Sequence, residues 1–185
     1  MNWLYLLGIP ALPFYFYLFY GGYKYFSKNK HEVVKGKLYR SGQLSVKNFE
    51  KFLKKYNIET VVNQRGVNND EYEICKKLGI NYHVISESSS KIPSRENFIR
   101  IVETIEATKG AFYVHCLGGA DRTSLTCAIW KLMNGAKKKE ALWQIQPLYL
   151  HWPFHKPAKR YFVNAIWYRD AEWMKENYKG IEQRG

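Results

Sequence analysis

Hydrophobic and polar residues show two different patterns along the chain after residue 30. Four short segments rich in β-branched and aromatic residues have the length of strands: VVKGKLYRSGQ, IETVVNQRG, INYHVIS and AFYVHC. The first segment has Lys35-Gly36 near its centre and predicts a hairpin. Between and after these segments, apolar residues recur every three or four positions, which predicts helices. This alternation predicts an α/β fold with a mainly parallel central sheet flanked by helices.

The predicted helices have recognisable starts and apolar faces. Ser45 and Ser94 are suitable N-caps for the first and third of them. The last helix is predicted from Pro157 to about Tyr178. The apolar stripes of the two N-capped helices are Phe49, Phe52, Leu53 and Tyr56, and Phe98, Ile101, Val102 and Ile105. A stripe of this kind indicates that each helix packs one face on the sheet.

The N-terminal segment has a different pattern, because no charged side chain precedes Lys24. An uncharged run of about 20 residues is long enough to cross a bilayer as a helix. Pro10 and Pro13 would kink such a helix, which membrane helices tolerate. We therefore predict a membrane-anchoring, transmembrane helix over residues 1–26 and one soluble domain over residues 27–185. The alternative is an apolar helix that packs against the domain.

The charge balance favours anionic partners. The chain has 29 Lys and Arg residues against 16 Asp and Glu residues, a net charge of +13. The lysines are dispersed and no groove-reading motif is present, so we expect no nucleic-acid partner. Cationic residues follow the predicted anchor closely, which predicts a single-pass membrane protein with a cytoplasmic domain; a periplasmic domain is the alternative. These residues are Lys24, Lys28, Lys30, Lys35, Lys37 and Arg40.

The segment HCLGGADRTS, residues 115–124, carries the candidate chemistry. It lies between a predicted strand and a predicted helix, an arrangement that directs backbone N–H groups at an anion. Cys116 would lie where these amides and the helix dipole favour a nucleophilic thiolate. Arg122 can bind two phosphate oxygens at once. The predicted phosphate-binding residues are Leu117, Gly118, Gly119, Ala120, Asp121 and Arg122.

Other polar residues are predicted to support this loop. His115 can orient it through its ring nitrogens, and Thr123 can donate a hydrogen bond to the cysteine sulfur. Arg40 either lines the pocket mouth or makes a structural ion pair. His151 and His155 have the spacing of a metal-binding pair, but two nearby prolines and no carboxylate favour an aromatic lip or plain surface. We therefore predict no metal at these positions.

The order of residues in HCLGGADRT resembles the HCxxGxxR(S/T) signature of cysteine-dependent protein tyrosine and dual-specificity phosphatases. LYRSGQL and TVVNQRG are also similar to short bacterial members, so the resemblance covers most of residues 31–170. It implies the dual-specificity phosphatase fold and a two-step reaction without metal or cofactor. Cys116 would take the phosphoryl group as a thiophosphate, and water would release it. The implied substrates are phosphotyrosine in proteins, or the phosphate of a membrane phospholipid or lipid A.

The general acid departs from the family pattern. Many members carry an Asp on a mobile loop before the signature, often after Trp-Pro, but the corresponding HVISESSSKIP offers only Glu87. Asp121 inside the loop resembles myotubularin-like and Sac-type lipid phosphatases, and it could protonate the leaving oxygen without a closing lid. Asp70 is a third candidate. The segment HWPF, residues 151–154, resembles the acid loop but follows the signature, so we predict no such role for it.

Two functions of different classes remain open from the sequence. The first is an active membrane-anchored phosphomonoesterase that acts on a phosphoprotein or a lipid. The second is a catalytically silent module that binds phosphate and is tethered to the membrane. The presence of both Cys116 and Arg122 favours the enzyme. The sequence does not predict an oligomeric state.

Overall fold

A computed structural model describes residues 15, 18–23, 27–152, 158–166 and 176 of the chain. Most of the predicted membrane anchor therefore lies outside the described residues, as does the end of the last predicted helix. Within these ranges, no helix combines the length and the apolar character needed to cross a bilayer.

The centre of the domain is a five-stranded mixed sheet. Its strands are β1 (His31–Val34), β2 (Leu38–Gly42), β3 (Ile58–Asn63), β4 (Asn81–Val84) and β5 (Ala111–Cys116). The spatial order is β1-β2-β5-β3-β4, in which β1 is antiparallel to β2 and the other neighbours are parallel. The predicted mainly parallel sheet is confirmed. The predicted hairpin is also confirmed, because β1 and β2 pair across a turn at residues 35–37.

Helices pack on both faces of this sheet. They are α1 (Val46–Lys55), α2 (Asn69–Leu78), α3 (Arg95–Ala107), α4 (Asp121–Met133), α5 (Lys138–Leu142) and α6 (Ala158–Ile166). A 3₁₀ turn, Pro147–Tyr149, lies between α5 and α6. The two helices predicted with N-caps at Ser45 and Ser94 are present as α1 and α3. Helix α6 is the described part of the last predicted helix, and α5 has only five residues.

Two hydrophobic cores hold the layers together, one on each face of the sheet. Phe112 and Val114 of β5 pack with α3, α4 and α6, whereas Tyr113 packs with α1 and α2. This alternation is the period of two expected of a strand that is covered on both faces. Most of the predicted stripes are buried in these cores: Phe49, Phe52 and Leu53 of α1, and Phe98, Ile101, Val102 and Ile105 of α3. Tyr56, the last residue of the first stripe, lies just beyond α1 and is partly buried.

The carboxyl ends of three parallel strands meet at one edge of the sheet. Gly42 of β2 is paired with Cys116 of β5, and Asn63 of β3 is paired with His115. Helix α4 begins at Asp121, a few residues beyond the end of β5. Parallel α/β sheets bind ligands beyond the carboxyl ends of their strands. The HCLGGADRT segment therefore lies where this kind of fold places a binding site.

Candidate active site

The loop of residues 117–120 joins β5 to α4 and rests against the end of β2. The Gln43 N–H donates a hydrogen bond to the Leu117 carbonyl at 3.0 Å. Cys116 immediately precedes the loop and is only 3% exposed. The first N–H groups of a helix have no partner within the helix, so those of α4 are available to an anion at this point. This arrangement can hold an oxyanion beside a shielded thiol.

Gly119 is the point of closest approach between the loop and β2. Its φ angle is +65°, a left-handed conformation that costs other residues about 1–2 kcal/mol. A Cβ atom at this position would lie 2.4 Å from Gly42 N and 2.5 Å from Ser41 C. Both neighbours are backbone atoms that cannot rotate away. The path of the loop therefore requires glycine here.

Arg40 supports the loop from within the protein. The residue is fully buried, and its Nη2 donates to Gly119 O at 2.6 Å and to Ser124 Oγ at 2.8 Å. Its guanidinium also lies 4.2 Å from the centre of the Tyr149 ring. Burial lowers the pKa of Arg40, although an arginine remains charged at neutral pH. Through these contacts Arg40 supports the loop, rather than lining the mouth of the pocket or making an ion pair.

Asn29 provides a second support, which the sequence did not single out. Its Nδ2 lies 2.9 Å from Gly119 O, 3.4 Å from Gly118 O and 3.0 Å from Tyr149 O. The ring of His31 contacts Asn29 Oδ1 at 3.1 Å and thereby orients the amide. Asn29 has a φ angle of 49°, a conformation that asparagine adopts more readily than most residues. The segment that follows the predicted anchor is therefore part of the framework of the loop.

Arg122 lies in the first turn of α4 with its guanidinium fixed on one side. Its Nη1 donates to the carbonyl of Gln64 at 3.0 Å and to the carbonyl of Glu87 at 3.2 Å. Its Nε is buried and has no hydrogen-bond partner among the described residues. A buried donor of a charged group is rarely left unsatisfied. The orphaned Nε is therefore suited to a phosphoryl oxygen, in the bidentate geometry that arginine prefers.

His115 supports the end of β5 rather than the loop itself. Its Nε2 lies 3.3 Å from Glu71 Oε2 in a buried ion-pair contact. Burial raises the pKa of the Glu71 carboxyl, but the contact with His115 and the hydrogen bonds from Tyr82 and Asn63 outweigh burial, so the pKa is lowered overall. The loop therefore follows a strand, β5, in which the His115 side chain contacts Glu71 of α2.

Thr123 does not make the hydrogen bond predicted for it. The residue is fully buried, and its Oγ1 has no hydrogen-bond partner in the described part of the chain. The next hydroxyl, that of Ser124, accepts the bond from Arg40 instead. The spacing of a motif places a hydroxyl near the cysteine but does not fix its orientation. The predicted contact with the sulfur is therefore absent from this structure.

Asp121, the preferred candidate acid, lies at the start of α4 and is paired with a histidine. Its Oδ1 is 2.8 Å from Nδ1 of His151. The Asp121 side chain is 13% exposed, whereas that of His151 is fully buried. The structure therefore brings His151 to the phosphate loop, although we expected it to be an aromatic lip over the site or plain surface.

Glu87, the second candidate, lies on the other side of Arg122 in a different environment. Burial raises the pKa of the Glu87 carboxyl to about 7, against the opposing effect of the Lys159 ammonium. Lys159 is itself fully buried, and its Nζ donates to the carbonyls of Ser88 and Lys91 at 3.1 and 2.9 Å. Burial lowers the pKa of Lys159 to about 8. Lys159 therefore holds the segment that carries Glu87 and adds positive charge near the loop.

Asp70, the third candidate, is exposed in the first turn of α2. A carboxylate at this position interacts favourably with the helix dipole. The structure gives no contact between Asp70 and the phosphate loop among the described residues. The two carboxyl groups near Arg122 are therefore Asp121 and Glu87.

Within the described ranges, no group of three or more His, Cys, Asp or Glu side chains is arranged to hold a metal ion. His151 is engaged with Asp121, and His155 lies outside the described residues.

A polar cavity opens beside the loop, where Gln43 contacts Leu117. Its volume is about 520 Å³, and Gln43, Arg65 and Asn68 are among its lining residues. The Arg65 guanidinium donates to the Gln43 side chain. The cavity can receive a group larger than phosphate next to the phosphate loop.

The three most important supports missed by sequence reasoning are Asn29, His151 and Lys159. The resemblance of HWPF to an acid loop was a usable signal for His151, but its position after the signature argued against it. No comparable signal marks the other two, because their partners lie 90 and 71 residues away in the chain.

The parallel sheet and the Cys116–Arg122 loop together define an α/β phosphatase-like domain of the cysteine-dependent class. A family model described as "Polymorphic toxin system, DSP-PTPase phosphatase" matches residues 36–136, more than half of the chain. The chain belongs to this family, within the superfamily of cysteine-based phosphatases that the sequence resemblance indicated. A search of curated proteins gave no significant match.

Solved structures of cysteine-based phosphatases share the fold. TpbA of P. aeruginosa is 16% identical, with a TM-score of 0.62 over 80% of this chain and 89% of that chain. The catalytic core of Siw14 from S. cerevisiae is 20% identical, with a TM-score of 0.58 over 74% and 83%. PTPMT1 is 15% identical, with a TM-score of 0.56 over 74% and 95%. At these identities the similarity shows the fold alone.

Proposed function

We propose that the chain is a phosphomonoester hydrolase that uses Cys116 as its nucleophile. The observation that carries this proposal is the guanidinium of Arg122, which two backbone carbonyls fix beside the loop while its buried Nε has no partner among the described residues. Such a group matches the dianionic end of a phosphomonoester. The shielded thiol of Cys116 lies at the other end of the same loop.

The reaction proceeds in two displacements. The loop N–H groups and Arg122 bind the phosphoryl oxygens, and the Cys116 thiolate attacks phosphorus. The sulfur–phosphorus bond forms as the ester oxygen–phosphorus bond breaks, and the leaving oxygen takes a proton from a carboxylic acid. Water then attacks the thiophosphate, gives its proton to the same carboxylate and releases inorganic phosphate with the thiolate restored.

Asp121 is the acid that we propose for the first displacement. Its carboxyl precedes Arg122 in sequence and is held by His151, so it needs no loop closure to reach the substrate. Glu87 is the competing candidate, since a carboxyl group whose pKa is raised to about 7 keeps its proton at neutral pH. Loss of the true acid should slow substrates with poor leaving groups more than substrates with good ones, so mutation can separate the two candidates.

A leaving-group comparison separates Asp121 from Glu87. An aryl phosphate such as para-nitrophenyl phosphate releases a stable phenolate, whereas an alkyl phosphate requires protonation of the alkoxide. We expect Asp121→Asn to slow the alkyl substrate about 10²–10⁴-fold more than the aryl one. Glu87→Gln should slow both to a similar extent. The reverse pattern would assign the acid to Glu87, and phosphate affinity, measured in parallel, reports any disturbance of Arg122.

The catalytically silent alternative is tested with Cys116→Ser. We expect this variant to lose turnover of para-nitrophenyl phosphate and to retain binding of phosphate or vanadate, because the loop and Arg122 remain. Wild-type protein that binds phosphate without hydrolysing any phosphomonoester would instead support a tethering module. Hydrolysis by Cys116→Ser at the wild-type rate would remove the covalent mechanism.

The substrate class that we propose is an anionic phosphomonoester on a protein tyrosine, a membrane phospholipid or lipid A. The solved relatives include a TpbA variant in complex with phosphotyrosine and PTPMT1 in complex with PI(5)P. The 520 Å³ cavity beside the loop offers room for such a group. Turnover of a phosphotyrosyl peptide, a phosphoinositide, phosphatidylglycerophosphate and lipid A by one purified sample discriminates among these substrates.

We further propose that residues 1–26 hold this domain at a membrane, on the cytoplasmic side. The support lies in the uncharged N-terminal sequence and in the cationic residues that follow it. The hydrogen bond from Tyr20 to Leu148 O at 2.7 Å is the kind of contact expected of the alternative, an apolar helix that packs against the domain. We expect the full chain to resist alkaline carbonate extraction and a chain starting at Ser27 to be extracted. Digestion of the domain by protease added to intact spheroplasts would contradict the cytoplasmic placement.

A further inference from the structure

His151 makes the closest contact to the loop carboxylate from a distant part of the chain. It follows the 3₁₀ turn Pro147–Tyr149 and Leu150, whose φ angle of 60° turns the backbone towards α4. The His151 ring is fully buried, and its Nδ1 lies 2.8 Å from Asp121 Oδ1. This contact joins residues 30 positions apart. A segment outside the signature therefore reaches the reacting end of the loop.

Burial of the His151 ring favours its contact with Asp121. A buried ring nitrogen without a hydrogen bond is costly, and Nε2 of His151 already has no partner among the described residues. The bond from Nδ1 to Asp121 is therefore the polar contact that the structure gives this ring. The left-handed conformation of Leu150 is strained, and packing of Tyr149 against Arg40 and His31 helps to offset this strain.

We propose that His151 is a positioning residue for Asp121 in the phosphatase reaction. His151 holds Oδ1 of the carboxyl group and so fixes the orientation in which the carboxyl group exchanges a proton with the leaving group. This inference rests on the proposed function, because it assigns Asp121 as the acid. His151 thus fixes an acid that already lies at the start of α4, next to the phosphate loop.

Other charged groups act on the same carboxylate and must be considered in any pH profile. Lys159 of α6 interacts electrostatically with Asp121, Glu87, Cys116 and Arg122. A donor from His151 stabilises the charged form of Asp121 in addition to Lys159. The alkaline limb of the pH–rate profile reports deprotonation of the acid. Because loss of the His151 donor disfavours the charged carboxylate, it should move this limb to higher pH.

The test uses the full chain with two substitutions that differ in hydrogen bonding. His151→Phe keeps a buried ring without a donor, and His151→Asn keeps a side-chain N–H near Asp121. We expect His151→Phe to lower kcat for an alkyl phosphate about 10- to 100-fold more than for para-nitrophenyl phosphate, with little change in KM. The alkaline limb should shift upward. His151→Asn should restore both properties at least in part, and His83→Phe, on β4, should change neither.

Two results would overturn the inference. Equal losses on both substrates, with the pH profile unmoved, would show that His151 only stabilises the fold, and urea unfolding of each variant measures that contribution directly. Wild-type behaviour of His151→Phe would show that Asp121 needs no support. Failure of the proposed function is recognised separately, because the wild type would then lack turnover or Cys116→Ser would retain it.

Discussion

Replacement of Gly119 by alanine tests whether the phosphate loop lies against β2 as described. The new Cβ would lie 2.4 Å from Gly42 N and 2.5 Å from Ser41 C, whereas ordinary contacts begin near 3.4 Å. The two backbone segments must therefore separate by about 1 Å, and a misplacement of this size can cost about 10²-fold in rate. The left-handed φ of +65° adds about 1–2 kcal/mol of strain.

Gly36→Ala is the matched control. Gly36 has nearly the same backbone conformation, with φ +69°, but a Cβ atom added there would have no neighbour within 4 Å. We expect Gly36→Ala to lose about 1–2 kcal/mol of unfolding free energy and no catalytic activity. Gly119→Ala should lose more stability and about 100-fold in kcat/KM on para-nitrophenyl phosphate. Urea unfolding and initial rates measure the two effects on the same samples.

The refuting result is a Gly119→Ala enzyme that turns over the aryl phosphate within about threefold of the wild type, since a 1 Å displacement costs far more than that. Such an enzyme would show that the loop does not touch the end of β2 during catalysis. Loss of activity in Gly36→Ala to the same extent would attribute the effect to general instability rather than to the loop.

Three further predictions follow from the contacts around the loop. Arg122→Lys should lower kcat/KM on an aryl phosphate by about 10²–10³-fold, since an ammonium cannot make the bidentate contact; wild-type rates would place the phosphate elsewhere. Glu71→Gln should lower the unfolding free energy by about 3 kcal/mol at neutral pH. Because the folded-state pKa of Glu71 is lowered, this difference should shrink as the pH falls through that pKa; a difference independent of pH would contradict a charged, hydrogen-bonded Glu71. Iodoacetamide at neutral pH should alkylate Cys116 alone, as mapped by mass spectrometry, because burial raises the pKa of Cys75 to about 12 and of Cys127 to about 11.

Much of the fold could be predicted because its signals are local. The stripe on α3 repeats every three or four residues, and all four of its residues are buried. The hairpin turn at Lys35-Gly36 is equally local, since β1 and β2 pair directly across it. The loop between β5 and α4 could be placed for the same reason, because a strand, a glycine pair and a helix adjoin in sequence.

The supports of the site could not be predicted in this way. Asn29 reaches Gly119 across 90 residues, and His151 reaches Asp121 only because Leu150 adopts a left-handed conformation after a 3₁₀ turn. No periodic pattern reports either arrangement. The opposite environments of the two carboxyl groups also depend on burial in the assembled fold: Glu87 is desolvated, whereas Asp121 is paired with a histidine.

Rapid quenching during turnover reveals whether Cys116 forms a covalent thiophosphate. Wild-type protein is mixed with an aryl phosphate, quenched in acid at times shorter than one turnover, digested and analysed by mass spectrometry. The account predicts one phosphoryl group on the peptide that contains Cys116, which accumulates before phosphate is released, and none in Cys116→Ser. Steady turnover by the wild type with no phosphorylated Cys116 at any time, together with undiminished turnover by Cys116→Ser, would contradict it.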